Sequence, residues 1–355
     1  MPTFCMFENR ESCAAGLQLL LASLARTAPG SRVVVGGVAS DGPTLQMAER
    51  LGLEAHHVPR VSGKGWDVKP ELLLAGLERV EAAGDGDARV TWIDADIIVT
   101  RDVRPMLAAL PDDAVLIAAE HRWGQHRGGD HRARAWGLTP GRALPDTANS
   151  CFVSVNRRHR PLLDAWQELL NDPHYREAQA RHWRQRPIHT VGDQELLSAL
   201  LGSDRFADPP LRWLRPGRDI IQAFGPASFG VWDRLRVAAG HRPLAVHAMG
   251  PHKPWDPSPA ASLRQRYLMW HNLTMLYTAA AAGLLDDLPD ESRRGPLARP
   301  PRLGYAGQAL AGLPVAAVDG VVRALKKSLG IDRYLIDVDP RDTTDREPFH
   351  WVDPS

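Results

Sequence analysis

The chain has 355 residues, with 43 Lys and Arg against 42 Asp and Glu, and its formal charge is +1 when the histidines are neutral. This balance excludes a polyanion-coating or heavily acidic protein, so we expect no nucleic-acid partner. Apolar residues make up 44% and charged residues 24% of the chain, which is typical of a globular protein with a sizeable core. The length allows about two domains.

Cysteine usage and the N-terminal residues bear on the compartment. Three cysteines, Cys5, Cys13 and Cys151, are an odd number without metal-binding spacing, and this favours a reducing compartment. The chain reaches Glu8 and Arg10 before any apolar run begins, so it lacks the basic and hydrophobic regions of a secretory signal. We therefore expect a cytoplasmic protein whose mature form begins at this N-terminus.

Apolar segments alternate with helix-like segments through the first two-thirds of the chain, which predicts an α/β domain with a largely parallel sheet. Residues 3–7 form the first predicted strand, Ser12 is expected to cap the helix after it, and Pro70 is expected to start a later helix. The segment 120–136 follows no strand or helix period and is predicted to be a loop. Further strands are predicted at 32–35, 53–58, 89–93, 114–119, 151–155 and 244–247.

From residue 257 onward the pattern changes to longer helical runs. We predict a first domain over 1–256 and a helical extension over 257–355 that packs on it. The last predicted helix, 314–329, has basic residues beside an apolar stripe, and two interpretations stay open: a helix packed on the first domain, or peripheral contact with an anionic membrane. Its basic residues are Arg323, Lys326 and Lys327.

Two carboxylates end the predicted strand V-T-W-I that begins at Val90. Side chains at i and i+2 of an extended segment point to the same face, so Asp94 and Asp96 can converge on one cation. Strand ends of open α/β sheets face the ligand crevice. A divalent ion held by one or two carboxylates keeps open positions that diphosphate oxygens commonly fill, so the pair predicts a metal and diphosphate site.

The same D-x-D spacing occurs twice more. Asp85 and Asp87 flank a glycine, and we assign them to a turn, where aspartate is favoured by local backbone hydrogen bonds. Asp337 and Asp339 run into a proline near the C-terminus, and we assign them to a solvated chain end.

Three motifs follow Asp94 and Asp96 in order: N-S-C-F-V-S-V-N at 149–156, G-D-Q-E at 192–195 and V-H-A-M-G-P-H-K-P-W at 246–255. In this order they resemble the motifs of retaining glycosyltransferases of the glycogenin and lipopolysaccharide galactosyltransferase type, family eight. The resemblance spans roughly residues 3–255. It implies the GT-A fold, a Rossmann-like α/β arrangement with a mixed sheet flanked by helices and, here, a C-terminal helical extension.

The resemblance also implies roles for individual residues. Asp94 and Asp96 correspond to the metal-binding pair of that family, and His247 corresponds to its third protein ligand. Residues implied to bind the donor nucleotide and its diphosphate are Glu8, Asp94, Gly250 and Lys253. Residues implied to surround the transferred sugar are Asn149, Asp193 and Gln194.

Elementary chemistry agrees with these roles. An imidazole beside two carboxylates favours Mn²⁺ over Mg²⁺, with Mg²⁺ as the alternative that metal availability can impose. The metal and Lys253 would stabilise the negative charge that grows as the bond between sugar and diphosphate breaks. Lys69 precedes the strand that carries Asp94, and it is interpreted either as a donor ligand or as a solvated lysine. Asp193 has a second interpretation, as a carboxylate that favours a helix N-terminus.

These expectations predict a metal-dependent retaining glycosyltransferase, a hexosyltransferase, that uses a nucleoside diphosphate sugar with UDP as the expected nucleotide. The acceptor class stays open among saccharides, lipid-linked glycans, peptides and small molecules. Attack on the face of the departing diphosphate is favoured, and double displacement through Asp193, Gln194 or Glu195 is the alternative.

Two other functions stay open. A sugar-1-phosphate nucleotidyltransferase shares the crevice and the metal, but it normally requires a glycine-rich loop after the first strand, which residues 7–12 lack. A non-catalytic nucleotide-sugar-binding protein would keep the fold without turnover.

Overall fold

The computed structural model describes residues 1–63, 65–120, 130–182, 185–223, 229–250, 253–255, 276–292, 297 and 303–329. Strands in these ranges are β1 (Thr3–Phe7), β2 (Arg32–Gly36), β3 (Glu54–Val58), β4 (Val90–Ile93), β5 (Ile97–Val99), β6 (Val115–Ala119), β7 (Ala148–Val155), β8 (Leu211–Leu214), β9 (Ile220–Gln222) and β10 (Ala245–His247). Helices in these ranges are α1 (Ala14–Thr27), α2 (Pro43–Arg50), α3 (Lys69–Ala82), α4 (Arg104–Ala108), α5 (Asp130–Ala135), α6 (Arg160–Asn171), α7 (Pro173–Gln179), α8 (Asp193–Gly202), α9 (Val231–Ala238), α10 (Leu276–Ala282), α11 (Tyr305–Ala311) and α12 (Leu313–Ser328).

The larger sheet has the strand order β3-β2-β1-β4-β7-β6-β8. Its first four strands run parallel, and β7 runs antiparallel to both of its neighbours, β4 and β6. Alternate residues of β1 face opposite sides: Phe4 and Met6 pack with α1, whereas Cys5 and Phe7 pack with α3. The predicted α/β class with a mixed sheet flanked by helices is therefore confirmed.

A second sheet has the order β5-β10-β9. β5 leaves β4 after a short turn and pairs antiparallel with β10, which in turn pairs parallel with β9. Ile98 and Val246 of this sheet pack with Leu276 and Tyr277 of α10 in one buried cluster. The described part of the C-terminal segment is thus packed on the preceding α/β unit.

Each predicted strand has a counterpart among β1, β2, β3, β4, β6, β7 and β10. Four of the six strand pairings in the larger sheet are parallel, as the sequence pattern predicted, and β7 supplies the two antiparallel ones. Two expectations were wrong. Ser12 does not cap α1, which begins at Ala14 after a 3-10 turn over Glu11–Cys13. Within the predicted loop 120–136, residues 121–129 lie outside the described residues, whereas Asp130–Ala135 form α5 and Trp136 beyond it is fully buried.

The predicted boundary at residue 256 stays a prediction, because it lies outside the described residues, as do residues 330–355 with Asp337 and Asp339. The predicted last helix is confirmed as α12, which leaves Val318, Val321 and Leu325 exposed. Its membrane contact stays a prediction. No single helix in the described ranges meets the length and hydropathy needed to cross a membrane, whereas α11 and residues 313–326 meet them together across a 43° bend.

Gly76 lies at a close contact between α3 and the sheet. A Cβ added there would lie 2.6 Å from Val90 Cγ1 and 2.7 Å from Cys5 Sγ, both on buried strands. Glycine therefore sets how closely α3 approaches β1 and β4, the strand that positions Asp94.

We expect Gly76→Ala to lower the free energy of unfolding by about 1–2 kcal/mol, because overpacking outweighs the better helix propensity of alanine. Gly86→Ala is the control, since a Cβ there approaches nothing closer than 3.9 Å. Chemical denaturation measures both variants. Equal stability of Gly76→Ala and the wild type would contradict the close packing.

Candidate metal and diphosphate site

The site begins at the carboxyl ends of β1 and β4, next to each other in the sheet. The strand order reverses there, since the chain moves from β1 to β3 in one direction and then continues at β4 on the other side. Such a reversal opens a crevice beyond the strand ends. Asp94 follows β4 directly, and its backbone N–H donates to the Cys151 carbonyl of β7 at 2.9 Å. The predicted D-x-D pair thus lies at the mouth of a crevice.

The second sheet places His247 beside Asp96, although the two residues are 151 positions apart in the chain. Register between β5 and β10 places His247 opposite Ile97, and the backbone N–H of Ala248 donates to the Asp96 carbonyl at 2.9 Å. As a result, His247 Nε2 lies 3.0 Å from an Asp96 carboxylate oxygen and 4.0 Å from an Asp94 oxygen. The predicted ligands Asp94, Asp96 and His247 are therefore brought together.

The three side chains fit a divalent cation. Their ligand atoms all lie within 4.8 Å of one another. For an ion with bonds of about 2.1 Å, neighbouring ligand atoms are about 3.0 Å apart and opposite ones about 4.2 Å apart. The distances from His247 Nε2 to the Asp96 and Asp94 oxygens, 3.0 and 4.0 Å, lie within this range. Burial alone would raise the pKa of Asp96, but Lys253 and His247 lower it well below its usual range, so this carboxylate is ionised near neutral pH. Two carboxylates and one imidazole form a donor set suited to Mn²⁺.

Lys253 lies against the same carboxylate. Its Nζ is 2.5 Å from Asp96 Oδ2 and donates to the Ala248 carbonyl at 2.7 Å. Gly250, between His247 and Lys253, has φ +88°, a conformation that glycine adopts without steric cost. The turn through Gly250 lets one short segment supply both an imidazole and an ammonium to the crevice.

Lys69 is buried, so its interpretation as a solvated lysine was wrong. Its Nζ lies 3.2 Å from Asp94 Oδ1 and 3.2 Å from Asp193 Oδ2, and it donates to Ser150 Oγ at 2.7 Å. Burial alone would lower the pKa of Lys69, but the two carboxylates raise it above its usual range. Trp92 Nε1 also donates to Asp94 Oδ1 at 2.6 Å. The orientation of Asp94 is therefore set from two sides.

The amides of Asn149 and Gln194 meet at a residue that the motifs do not include. Glu120, directly after β6, accepts hydrogen bonds through Oε2 from Asn149 Nδ2 at 3.0 Å and from Gln194 Nε2 at 2.8 Å. Beside them, the buried guanidinium of Arg132 pairs with Glu195. Burial raises the pKa of Glu195, and Arg132 opposes that effect. Glu120 and Arg132 are thus site residues that sequence reasoning missed.

Within the described residues, Glu8 is not among the carboxylates that Lys69, Lys253 or His247 contact. Its side chain is buried beyond β1 and accepts hydrogen bonds from Arg10 Nε at 2.8 Å and Arg10 Nη2 at 2.7 Å. The pKa of Arg10 is raised chiefly by Glu8 and in smaller part by Asp96. Arg10, which the motifs also do not single out, therefore forms an ion pair with Glu8 beyond the end of β1.

The second D-x-D copy is confirmed as a turn. Asp85 accepts a backbone hydrogen bond from Ala88 N at 2.9 Å, and Gly84 has φ +74°. Asp87 is exposed and lies 2.9 Å from Arg157. Neither belongs to a metal-binding group among the described residues.

No protein-family model matches the chain, and no curated protein matches it. Among solved structures, the galactosyltransferase LgtC in complex with donor and acceptor sugar analogs is 15% identical over 82% of this chain and 99% of that chain, with a TM-score of 0.46. The bifunctional glycosyltransferase WbbM is 12% identical over 88% of this chain and 52% of its own, with a TM-score of 0.47. The glycosyltransferase GlyE of Streptococcus pneumoniae TIGR4 is 12% identical over 80% of this chain and 63% of its own, with a TM-score of 0.44.

Asp67 provides a titrating group beside this network. The Tyr175 hydroxyl donates to Asp67 Oδ1 at 2.7 Å. Burial raises the pKa of Asp67 from 3.8 to about 6, with the Tyr175 hydrogen bond acting against it and the Asp193 carboxylate adding to it. The folded protein therefore binds this proton more tightly than the unfolded chain does. The stability that the proton contributes is complete below pH 3.8 and is lost as the pH rises through 6.

We expect Asp67→Asn to remove this loss, because the amide oxygen still accepts the Tyr175 hydrogen bond but does not ionise. Relative to the variant, the wild type should lose about 2–3 kcal/mol of unfolding free energy between about pH 4 and about pH 7. Urea denaturation across this pH range measures the difference. A difference that does not change with pH would contradict the raised pKa.

Proposed function

We propose that the protein is a metal-dependent retaining glycosyltransferase that moves a hexose from a nucleoside diphosphate sugar, with UDP as the expected nucleotide, to an acceptor. The observation that carries this proposal is the convergence of Asp94, Asp96 and His247 with the Lys253 ammonium at one strand-end crevice. These groups suit a divalent cation and the diphosphate oxygens that it binds. A solvated polar strand end would not need a buried imidazole and two buried or half-buried lysines.

Asp94, Asp96 and His247 would hold the metal, and we propose Mn²⁺ because one of the three ligands is an imidazole nitrogen. When bound, the ion supplies positive charge to the diphosphate as it becomes the leaving group. Lys253 is the protein's own contribution to that charge, because its ammonium faces the crevice beside Asp96. Lys69 lies between Asp94 and Asp193 and holds both carboxylates in place. Gly250 shapes the turn that leads to Lys253.

For the transferred sugar we propose Asn149, Asp193 and Gln194, which surround Lys69 and Glu120 at the side of the crevice next to α8. Glu195 is buried against Arg132, and Asp193 lies against Lys69. A carboxylate held by a buried cation is a weak nucleophile, since attack would take it out of that pair. This favours attack by the acceptor on the face of the departing diphosphate over double displacement.

Glu8 stays a proposed contact to the donor nucleotide, through the loop that it forms with Arg10 after β1. A glycine-rich phosphate loop, which a nucleotidyltransferase requires, would have to occupy this place. The buried Glu8 and its Arg10 partner favour glycosyl transfer instead. Mass spectrometry of the products distinguishes the four acceptor classes that stay open: saccharides, lipid-linked glycans, peptides and small molecules.

We expect Asp96→Ala to lower Mn²⁺-dependent release of UDP from UDP-hexoses by at least about 100-fold, because one metal ligand and the partner of Lys253 are lost. Asp87→Ala is the matched control, since it removes a D-x-D carboxylate that lies in an exposed turn. Release is measured over a panel of UDP-sugars.

The control should release UDP at the wild-type rate. No UDP release by the wild type with any donor, or equal release by Asp96→Ala, would overturn the proposal. A metal-dependent rise in melting temperature with UDP, but without release, would instead identify a non-catalytic nucleotide-binding protein.

Lys253→Met should lower kcat by about 100-fold or more, because a charge that stabilises the leaving diphosphate is removed. Mn²⁺ affinity should stay equal or become tighter, since a cation next to the metal ligands is lost. Steady-state kinetics and Mn²⁺ titration measure the two effects, with Lys326→Met on the exposed face of α12 as the control. A weaker Mn²⁺ affinity with an unchanged kcat would exclude the proposed role of Lys253.

A further inference from the structure

Glu120 connects two side chains that come from different elements. It follows β6 and is 4% exposed, Asn149 lies on β7, and Gln194 lies in the first turn of α8. A single carboxylate oxygen, Oε2, accepts from both amides at 3.0 and 2.8 Å. Two donors that converge on one oxygen tie the end of β6 to the proposed sugar side of the crevice.

An ionised carboxylate accepts hydrogen bonds but cannot donate them. Both amides must therefore turn their NH₂ groups toward Glu120, and their oxygens are directed elsewhere. The Asn149 oxygen accepts from the Cys151 backbone N–H at 3.0 Å, so it is already engaged. Within the described residues, no donor reaches the Gln194 oxygen. Gln194 is also less buried than its neighbours Asp193 and Glu195.

A buried ion pair lies next to the Gln194 end of this link. Arg132 is buried and pairs with Glu195, the residue after Gln194. Glu120 lies near enough to Glu195 to raise its pKa, although burial is the main cause of that rise. Arg132 therefore holds the residue next to Gln194 in a buried ion pair, which fixes the start of α8 where Gln194 meets Glu120.

We propose that Glu120 is a positioning residue that fixes the Gln194 amide so that its oxygen is the atom left to accept a hydroxyl of the transferred sugar. This inference rests on the proposed glycosyl transfer. It assigns selection among donor sugars to the pair of Glu120 and Gln194. A hydroxyl that can donate to this oxygen is favoured over its epimer, because the epimer leaves the amide oxygen unpaired.

The experiment is a double-mutant cycle of Glu120→Gln and Gln194→Ala, read out as kcat/KM for UDP-glucose and UDP-galactose. Glu120→Gln keeps the shape but offers an NH₂ group to an amide donor, so the Gln194 amide is released to rotate. We expect each single variant to lower kcat/KM for the preferred donor by at least about 10-fold and to reduce the preference between the two epimers. The double variant should be no worse than Gln194→Ala alone.

Two controls separate positioning from a general structural role. Affinity for UDP with Mn²⁺ should stay within about two-fold of the wild type in Glu120→Gln, since UDP lacks the transferred hexose. Glu120→Asp keeps the charge and should retain more of the epimer preference than Glu120→Gln does. Melting temperatures identify any variant that fails to fold. If Glu120→Gln does not fold, the epimer preference of Glu120→Asp is compared with that of the wild type instead.

Additive losses in the cycle, or an unchanged epimer preference in a folded Glu120→Gln protein that binds UDP normally, would overturn the role of Glu120 while leaving glycosyl transfer intact. Loss of UDP binding together with activity would assign Glu120 to the structure of the whole site and also overturn the inference. Absence of donor turnover in the wild type would overturn the proposed function and this inference with it.

Discussion

The buried ammonium of Lys69 is the interaction on which the site depends. It begins α3, yet its Nζ reaches Asp94 beyond β4, Asp193 at the start of α8 and Ser150 on β7. A charge with 3% exposure is tolerated only where opposite charges and hydrogen-bond acceptors surround it, so the three elements are held in one relative arrangement. Asp94 is thereby fixed before any ligand arrives, which is the preorganisation that binding of a cation and its diphosphate requires.

Charge in the crevice is uneven, although the chain as a whole is close to neutral. Asp94, Asp96 and Asp193 face Lys69 and Lys253, so this group carries one net negative charge and attracts a divalent cation. With the cation bound, the same group becomes positive and suits a diphosphate. The near balance of the whole composition is therefore an average over a strongly polarised crevice and an ordinary surface. On the sugar side, Arg132 and Glu195 form a separate buried ion pair next to Gln194.

Local patterns predicted the D-x-D strand end, because an apolar run followed by i and i+2 carboxylates is contained within seven residues. β5 was missed, since a three-residue strand has no recognisable period and is defined by its pairing with β10. Glu120 was missed for a related reason: its partners lie 29 and 74 positions away, and nothing near it in sequence marks it. The burial of Lys69 and Trp136 was also set by tertiary contacts, whereas the sequence around each reads as a loop.

In the proposed function, Asp94, Asp96 and His247 bind one divalent cation that also binds a nucleoside diphosphate. Anomalous diffraction from crystals grown with Mn²⁺ and UDP is the decisive measurement. We expect a single anomalous peak within about 2.3 Å of both aspartates and the imidazole, with UDP oxygens completing its coordination and the Lys253 ammonium beside them. UDP bound elsewhere, or a manganese peak that does not contact Asp96 and His247, would contradict it.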